Sequence, residues 1–188
     1  MSSLRQLMAS LRMLLVLTVL LGALYPAVVW GAGRLGLADR ADGSLVRRDG
    51  VVVGSSLLGQ DFRAAKWFRG RPSASAYAGA VSGGSNLAAT AREQVDVVHT
   101  RQQQWAGVGT GAAPAGALTA SGSGLDPHVS PADALAQVSR VAAANGLDDS
   151  VVRRLVLAHT QGRSLGFAGE PRVNVLELNL ALDALVSR

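Results

Sequence analysis

The run from Met13 to Trp30, MLLVLTVLLGALYPAVVW, carries no charged residue, and this constrains the chain more than any other feature. At about 1.5 Å rise per helical residue it covers most of a hydrocarbon core roughly 30 Å thick, and extension back to Leu11 completes a span. The expected organisation is a tail over residues 1–10, a transmembrane helix over 11–30 and one soluble domain over 31–188. Tyr25 and Trp30 sit at the far end, where amphipathic rings favour the headgroup level. Pro26 removes a backbone donor near that end, which a last turn tolerates. A cleaved signal peptide is the competing reading, with Arg5 and Arg12 as its charged region and Gly31-Ala32-Gly33 as a small-residue triplet. The apolar run exceeds the ~7–15 residues of a signal h-region, which favours a retained anchor. Arg34, Arg40, Arg47 and Arg48 beyond the span offset Arg5 and Arg12 before it, so charge alone does not orient the helix. A short tail followed by a long domain favours a cytoplasmic N-terminus in the cell membrane, with the domain extracytoplasmic.

Lys and Arg total 18 against 13 Asp and Glu, but Lys66 is the only lysine and the arginines are scattered. Nucleic-acid binding needs cations gathered on one face, so no nucleic-acid partner is expected. Lys66, Arg69 and Arg71 form the nearest approach to a basic cluster. It reads as a solvated surface or partner contact before it reads as a phosphate site. The absence of cysteine excludes disulfides and thiolate chemistry.

Two β-prone runs around Asp49-Gly50 predict a hairpin over Leu45–Val53, since type I′ turns need positive φ. Asn86 is placed to cap a helix carrying Leu87, Ala91, Val95, Val98 and Trp105 on its packed face. Ala106–Gly124 is too rich in Gly, Ala, Thr and Ser to form a regular element. Ser130-Pro131-Ala132-Asp133 opens a helix with the stripe Leu135, Val138, Val141, stopped at Asn145-Gly146. Asp148-Asp149-Ser150 starts another, with Val151, Leu155 and Ala158 inward. Asn174 with Glu177, and Val173 with Leu178, give the last helix a capping box and a staple; Leu182 and Leu185 extend its apolar face. The fold class is therefore α+β: a single N-terminal transmembrane helix, then one small mixed domain.

Catalytic patterns fail on context. Gly162-Arg163-Ser164-Leu165-Gly166 matches G-x-S-x-G, but no histidine follows Ser164 as the hydrolase order requires. Gly31-Ala32-Gly33-Arg34-Leu35-Gly36 fits a dinucleotide fingerprint but follows a membrane span, and reads as an interfacial loop. Lys66 lies in Ala-Lys-Trp, outside any phosphate loop. His99, His128 and His159 lack ligand spacing, so no metal site is expected.

Five blocks, taken in order, resemble the KdpC family of Kdp-type potassium-transporting P-type ATPases. They are Gly54–Phe62, Trp67–Ala74, Ser82–Leu87, Leu118–Pro131, and the C-terminal stretch His159-Thr160-Gln161-Gly162-Arg163 through Gly169–Val175 to Leu178–Asp183. The chain departs from the family at Ala88–Arg92, where an Asn-Pro is common, and in its Ala/Gly-rich Thr110–Leu118. The resemblance implies a non-catalytic accessory subunit of a high-affinity potassium uptake complex. Its partners would be a channel-like potassium-selective subunit, a P-type ATPase subunit and a small membrane subunit. ATP and potassium would be ligands of that complex, with no cofactor resident on this chain.

Two mechanisms compete for such a subunit. As a catalytic chaperone it would raise the pump's ATP affinity, Ser82-Gly83-Gly84-Ser85 serving as a signature-like motif and Gln161 touching nucleotide. As an assembly and gating element it would work outside the membrane, where cytoplasmic ATP cannot reach, and the topology favours this. Ser82–Ser85 by itself reads as a turn. The polar block Ser121, Ser123, Asp126 and His128 reads equally as a partner-facing loop lining potassium entry or as an Asx-type turn before Ser130. A free-standing, membrane-anchored binding module is the alternative outside this class.

Overall fold

The computed structural model describes residues 2–187, in two compact units that divide after Leu45. The first unit is helical: α1 (Ser2–Val19), a π-helical turn over Leu20–Leu24, α2 (Tyr25–Gly36) and a short α3 (Ala38–Ala41). From Ser3 to Gly36 it makes one helix long and apolar enough to cross a membrane. The π turn has a local cause. Pro26 cannot donate to the carbonyl four residues back and its ring presses on that carbonyl, so the preceding turn widens. The helix is longer than the sequence suggests at both ends. The Gly31–Gly36 segment, expected as a loop, is the last stretch of α2. No residue of that turn has positive φ, so its glycines need not act as breakers. Arg34 stacks over Trp30, 5.7 Å from the ring centroid, and pairs with Asp42 at 2.9 Å.

Starting from the boundary residue, β1 (Leu45–Arg48) and β2 (Val51–Ser55) form the expected hairpin, and Asp49 and Gly50 take φ of 50° and 80° at its turn. A long irregular strap then runs to α4 (Arg92–Trp105) and α5 (Ala115–Leu118). The compact core follows: β3 (His128–Val129), α6 (Pro131–Ala136), α7 (Val138–Asn145), α8 (Asp149–Ala158), β4 (Thr160–Gln161), β5 (Arg172–Asn174) and α9 (Val175–Val186). The three short strands form an antiparallel sheet in the order β3-β5-β4, with Val129 opposite Val173 and Gln161 opposite Arg172. Against it, α6 to α9 bury Val138, Val141, Val152, Val156, Leu178 and Leu182, joined by Phe68 from the strap.

Other sequence expectations change too: Ala106–Gly124, expected without a regular element, carries the single turn of α5. The helix assigned to Asn86 begins at Arg92, because Asn86 takes φ of 54°, a left-handed conformation that no N-cap adopts, and Ala91 is the extended residue before the first turn. Of its expected packed face only Trp105 is buried; Val95 is 43% exposed. The helix from Pro131 breaks at Gln137, whose side chain is drawn into a buried hydrogen-bond set described below. In α8 the buried row is Val152 and Val156, one residue on from the row expected, and Ala158 is exposed. Both caps hold: Ser130 Oγ accepts from Asp133 N at 3.1 Å and Asn174 Oδ1 from Glu177 N at 3.2 Å.

Candidate functional site

Three polar stretches far apart in sequence meet in one junction. Ser121 N donates to Pro72 O at 3.1 Å, Gly83 N to Ser123 O at 2.8 Å, and Ser73 Oγ to Gly124 O at 2.6 Å. Gly124 has φ of 69°, and a Cβ there would lie 2.8 Å from Gly83 O, so both the turn and the approach of Ser82–Ser85 require glycine. Gly59 closes the other side: its N–H donates to Leu125 O at 2.8 Å, and a Cβ would sit 2.6 Å from Asp126 O. Ser121, at 3% exposed, lies inside this junction.

Asp126 lies at its edge and is fully engaged. Its Oδ1 accepts from His128 N at 2.9 Å, the Asx turn, and its Oδ2 pairs with Arg71 Nη1 at 3.1 Å. His128 Nδ1 stands 3.6 Å from Oδ1. Burial lowers the His128 pKa below its usual 6.5, outweighing the opposing pull of Asp126. Tyr77, whose hydroxyl donates to Arg71 O, is pushed up to about 12 by burial and then by Asp61 and Asp126. A shallow groove of about 530 Å³ opens beside Asp126 and His128, flanked by Arg71, Glu170 and Arg172.

The structure thus joins Ser82–Gly84 to Ser121–Asp126. Gln161 is on β4, the edge of the sheet opposite β3 with its His128. Ser164 lies in a turn closed by paired bonds with Ala168, with no helix behind it, so the nucleophile-elbow geometry is missing. Among the described residues no three His, Cys, Asp or Glu side chains are grouped to hold a metal ion.

The amides that fix the strap were not singled out from sequence. Asn179 Oδ1 accepts from Phe68 N at 2.8 Å while its Nδ2 donates to Phe68 O at 2.9 Å. Gln137 repeats the arrangement on Arg69, at 2.8 Å and 3.1 Å, and also donates to Asp133 Oδ1 at 2.9 Å. A side-chain amide presents an N–H donor beside a carbonyl acceptor, as a neighbouring strand would, so each completes a backbone that has no strand beside it, and the second N–H of Gln137 remains free to reach Asp133. For Asn179 the signal lay in two of the family-like blocks, Trp67–Ala74 and Leu178–Asp183, which this amide joins; Gln137 lies outside all five blocks.

Comparison with known proteins agrees along nearly the whole chain. Residues 7–184 match the family described as KdpC: K+-transporting ATPase, c chain. A potassium-transporting ATPase KdpC subunit of Kineococcus radiotolerans is 52% identical, covering 95% of this chain and 93% of its own. Those of Sorangium cellulosum (51%; 93% and 95%) and Cereibacter sphaeroides (48%; 98% and 98%) are similarly close. The chain belongs to the KdpC family, the c chain of potassium-transporting ATPases.

Proposed function

We propose that this chain is a non-catalytic accessory subunit of an ATP-driven potassium uptake complex, anchored by its N-terminal helix and acting through an extracytoplasmic domain on assembly and gating. The observation that carries this reading is the family match over residues 7–184, anchor and domain together. Its partners are a P-type ATPase subunit, a channel-like potassium-selective subunit and a small membrane subunit. The junction favours assembly over nucleotide contact: Gly83 N is already used by Ser123 O, which weakens Ser82–Ser85 as an anion nest, and Gln161 stands at the far edge of the sheet.

The test is deletion in a host whose growth at limiting potassium depends on the pump. The intact chain should restore growth and co-purify with the other subunits, and alkaline carbonate should leave it in the membrane. Growth without it, or a shortened form in the soluble fraction, would overturn the reading; the purified chain alone should hydrolyse no ATP.

A further inference from the structure

A cavity of about 330 Å³ lies between the strap at Asp61–Tyr77, α4 and the α6–α7 break. Its charged lining is Asp61, Arg63, Arg69, Arg71, Arg101 and Asp133, and Phe62 and Trp105 supply an apolar wall. The cations outnumber what the acids can answer. Arg63 pairs with Asp61 at 2.6 Å, and Arg71 with Asp126 at 3.1 Å. Arg69 and Arg101 meet only backbone carbonyls, those of Arg63 at 2.9 Å and Leu118 at 2.8 Å. Among the described residues neither pairs with a carboxylate. Behind the cavity Arg140, also without a carboxylate, donates to Val108 O and Gln137 Oε1 at 2.7 Å each. Its guanidinium is pushed down to about 10 by burial and then by Arg69.

Two further atoms are unsatisfied. Arg69 Nε and Arg71 Nε are buried without an acceptor. Buried guanidinium donors without partners cost free energy, and concentrated positive charge in a partly desolvated pocket favours an anion there. A planar fork taken side-on by an oxyanion uses Nε and Nη together, and both arginines with an unpaired Nε, Arg69 and Arg71, line this cavity. Burial disfavours the charged form of Asp133, the remaining acid, so it does little to answer these cations, and the unpaired guanidinium edges suit an oxyanion with several acceptor oxygens. We propose that this cavity binds a phosphate-class oxyanion, held by Arg69 and Arg101 with Arg71 at its side and the aromatic wall receiving whatever the phosphate carries.

The test uses the full chain in zwitterionic detergent, apart from any pump, so its result is independent of the assembly reading. Tryptophan emission, which includes Trp105 in the wall, is followed while inorganic phosphate replaces chloride at constant ionic strength. A saturable change is expected. Arg69→Gln and Arg101→Gln should each weaken it about tenfold, the scale of one charge-assisted hydrogen bond. Arg154→Gln, exposed on α8, should leave it unchanged. Because Arg69 also braces the strap, Arg101→Lys serves as the second variant: it keeps the charge, removes the fork and should retain part of the affinity. Dihexanoyl phosphatidic acid separates the sources. Arginine-dependent binding of that lipid with little response to inorganic phosphate assigns a headgroup, and binding of both assigns the phosphate group itself. No saturable response to either probe, or a response equal in wild type, Arg69→Gln and Arg101→Gln, would refute the site.

Discussion

Single side chains decide where the strap lies. Phe68 is wholly buried, yet its peptide has no strand beside it, and Asn179 supplies both missing partners. Asn179→Ala removes two hydrogen bonds and leaves a buried N–H and C=O unpaired. The expected loss is about 2–4 kcal/mol, read by denaturant unfolding, against less than about 1 kcal/mol for an exposed change such as Arg154→Ala. His128 gives a pH-dependent counterpart. Its folded pKa lies below 6.5 because burial disfavours the imidazolium, while Asp126 and Glu177 pull it up and Arg172 pushes it down. A lowered histidine contributes stability above its unfolded pKa and loses it as pH falls from 6.5 toward the folded value. Stability should therefore fall more between about pH 7 and pH 5 in the native chain than in His128→Gln. Equal slopes would show that His128 titrates alike in both states.

Among the elements, the two side-chain caps separate local from tertiary roles. Ser130 caps α6 through one bond, so Ser130→Ala should cost about 1 kcal/mol. Asn174 caps α9 with Oδ1 and donates from Nδ2 to Ser56 O at 2.8 Å, tying the β1–β2 hairpin segment to the sheet. Asn174→Ala should cost about twice as much by thermal unfolding, since it breaks a cap and a partly buried tie. Equal losses would make the tie dispensable. These caps were legible because their rules are local, and so were the Asp49-Gly50 turn and the long apolar N-terminal helix. The inward row of α8 was only partly legible: Val151, Val152, Leu155 and Val156 offer two adjacent rows of identical spacing, and tertiary packing buries Val152 and Val156 in the core while Leu155 packs only partly against it. Nor was the junction legible, because Ser82–Ser85 and Ser121–Asp126 are bonded through backbone atoms that leave no mark on residue choice beyond glycine.

For the whole molecule, the side of the membrane on which the domain lies separates the two mechanisms, and the chain permits a clean measurement of it because it contains no cysteine. Leu165 is 86% exposed at a turn, so Leu165→Cys offers a single accessible thiol. With the domain extracytoplasmic, a membrane-impermeant maleimide should label that variant in intact cells as fully as after permeabilisation. Asp126→Asn then tests mechanism in the assembled pump. The amide oxygen can still accept from His128 N, so the turn survives, while the ion pair with Arg71 is lost. An exposed to half-buried pair contributes about 0–1 kcal/mol, so assembly should persist. Because Arg71 already neutralises this carboxylate at 3.1 Å, the block projects little net field, and half-maximal potassium should shift by less than about twofold. With the domain extracytoplasmic, ATP dependence should stay unchanged, since nucleotide would then be confined to the other side. A variant that needed more ATP at saturating potassium, together with labelling only after permeabilisation, would place the domain inside and restore the chaperone mechanism.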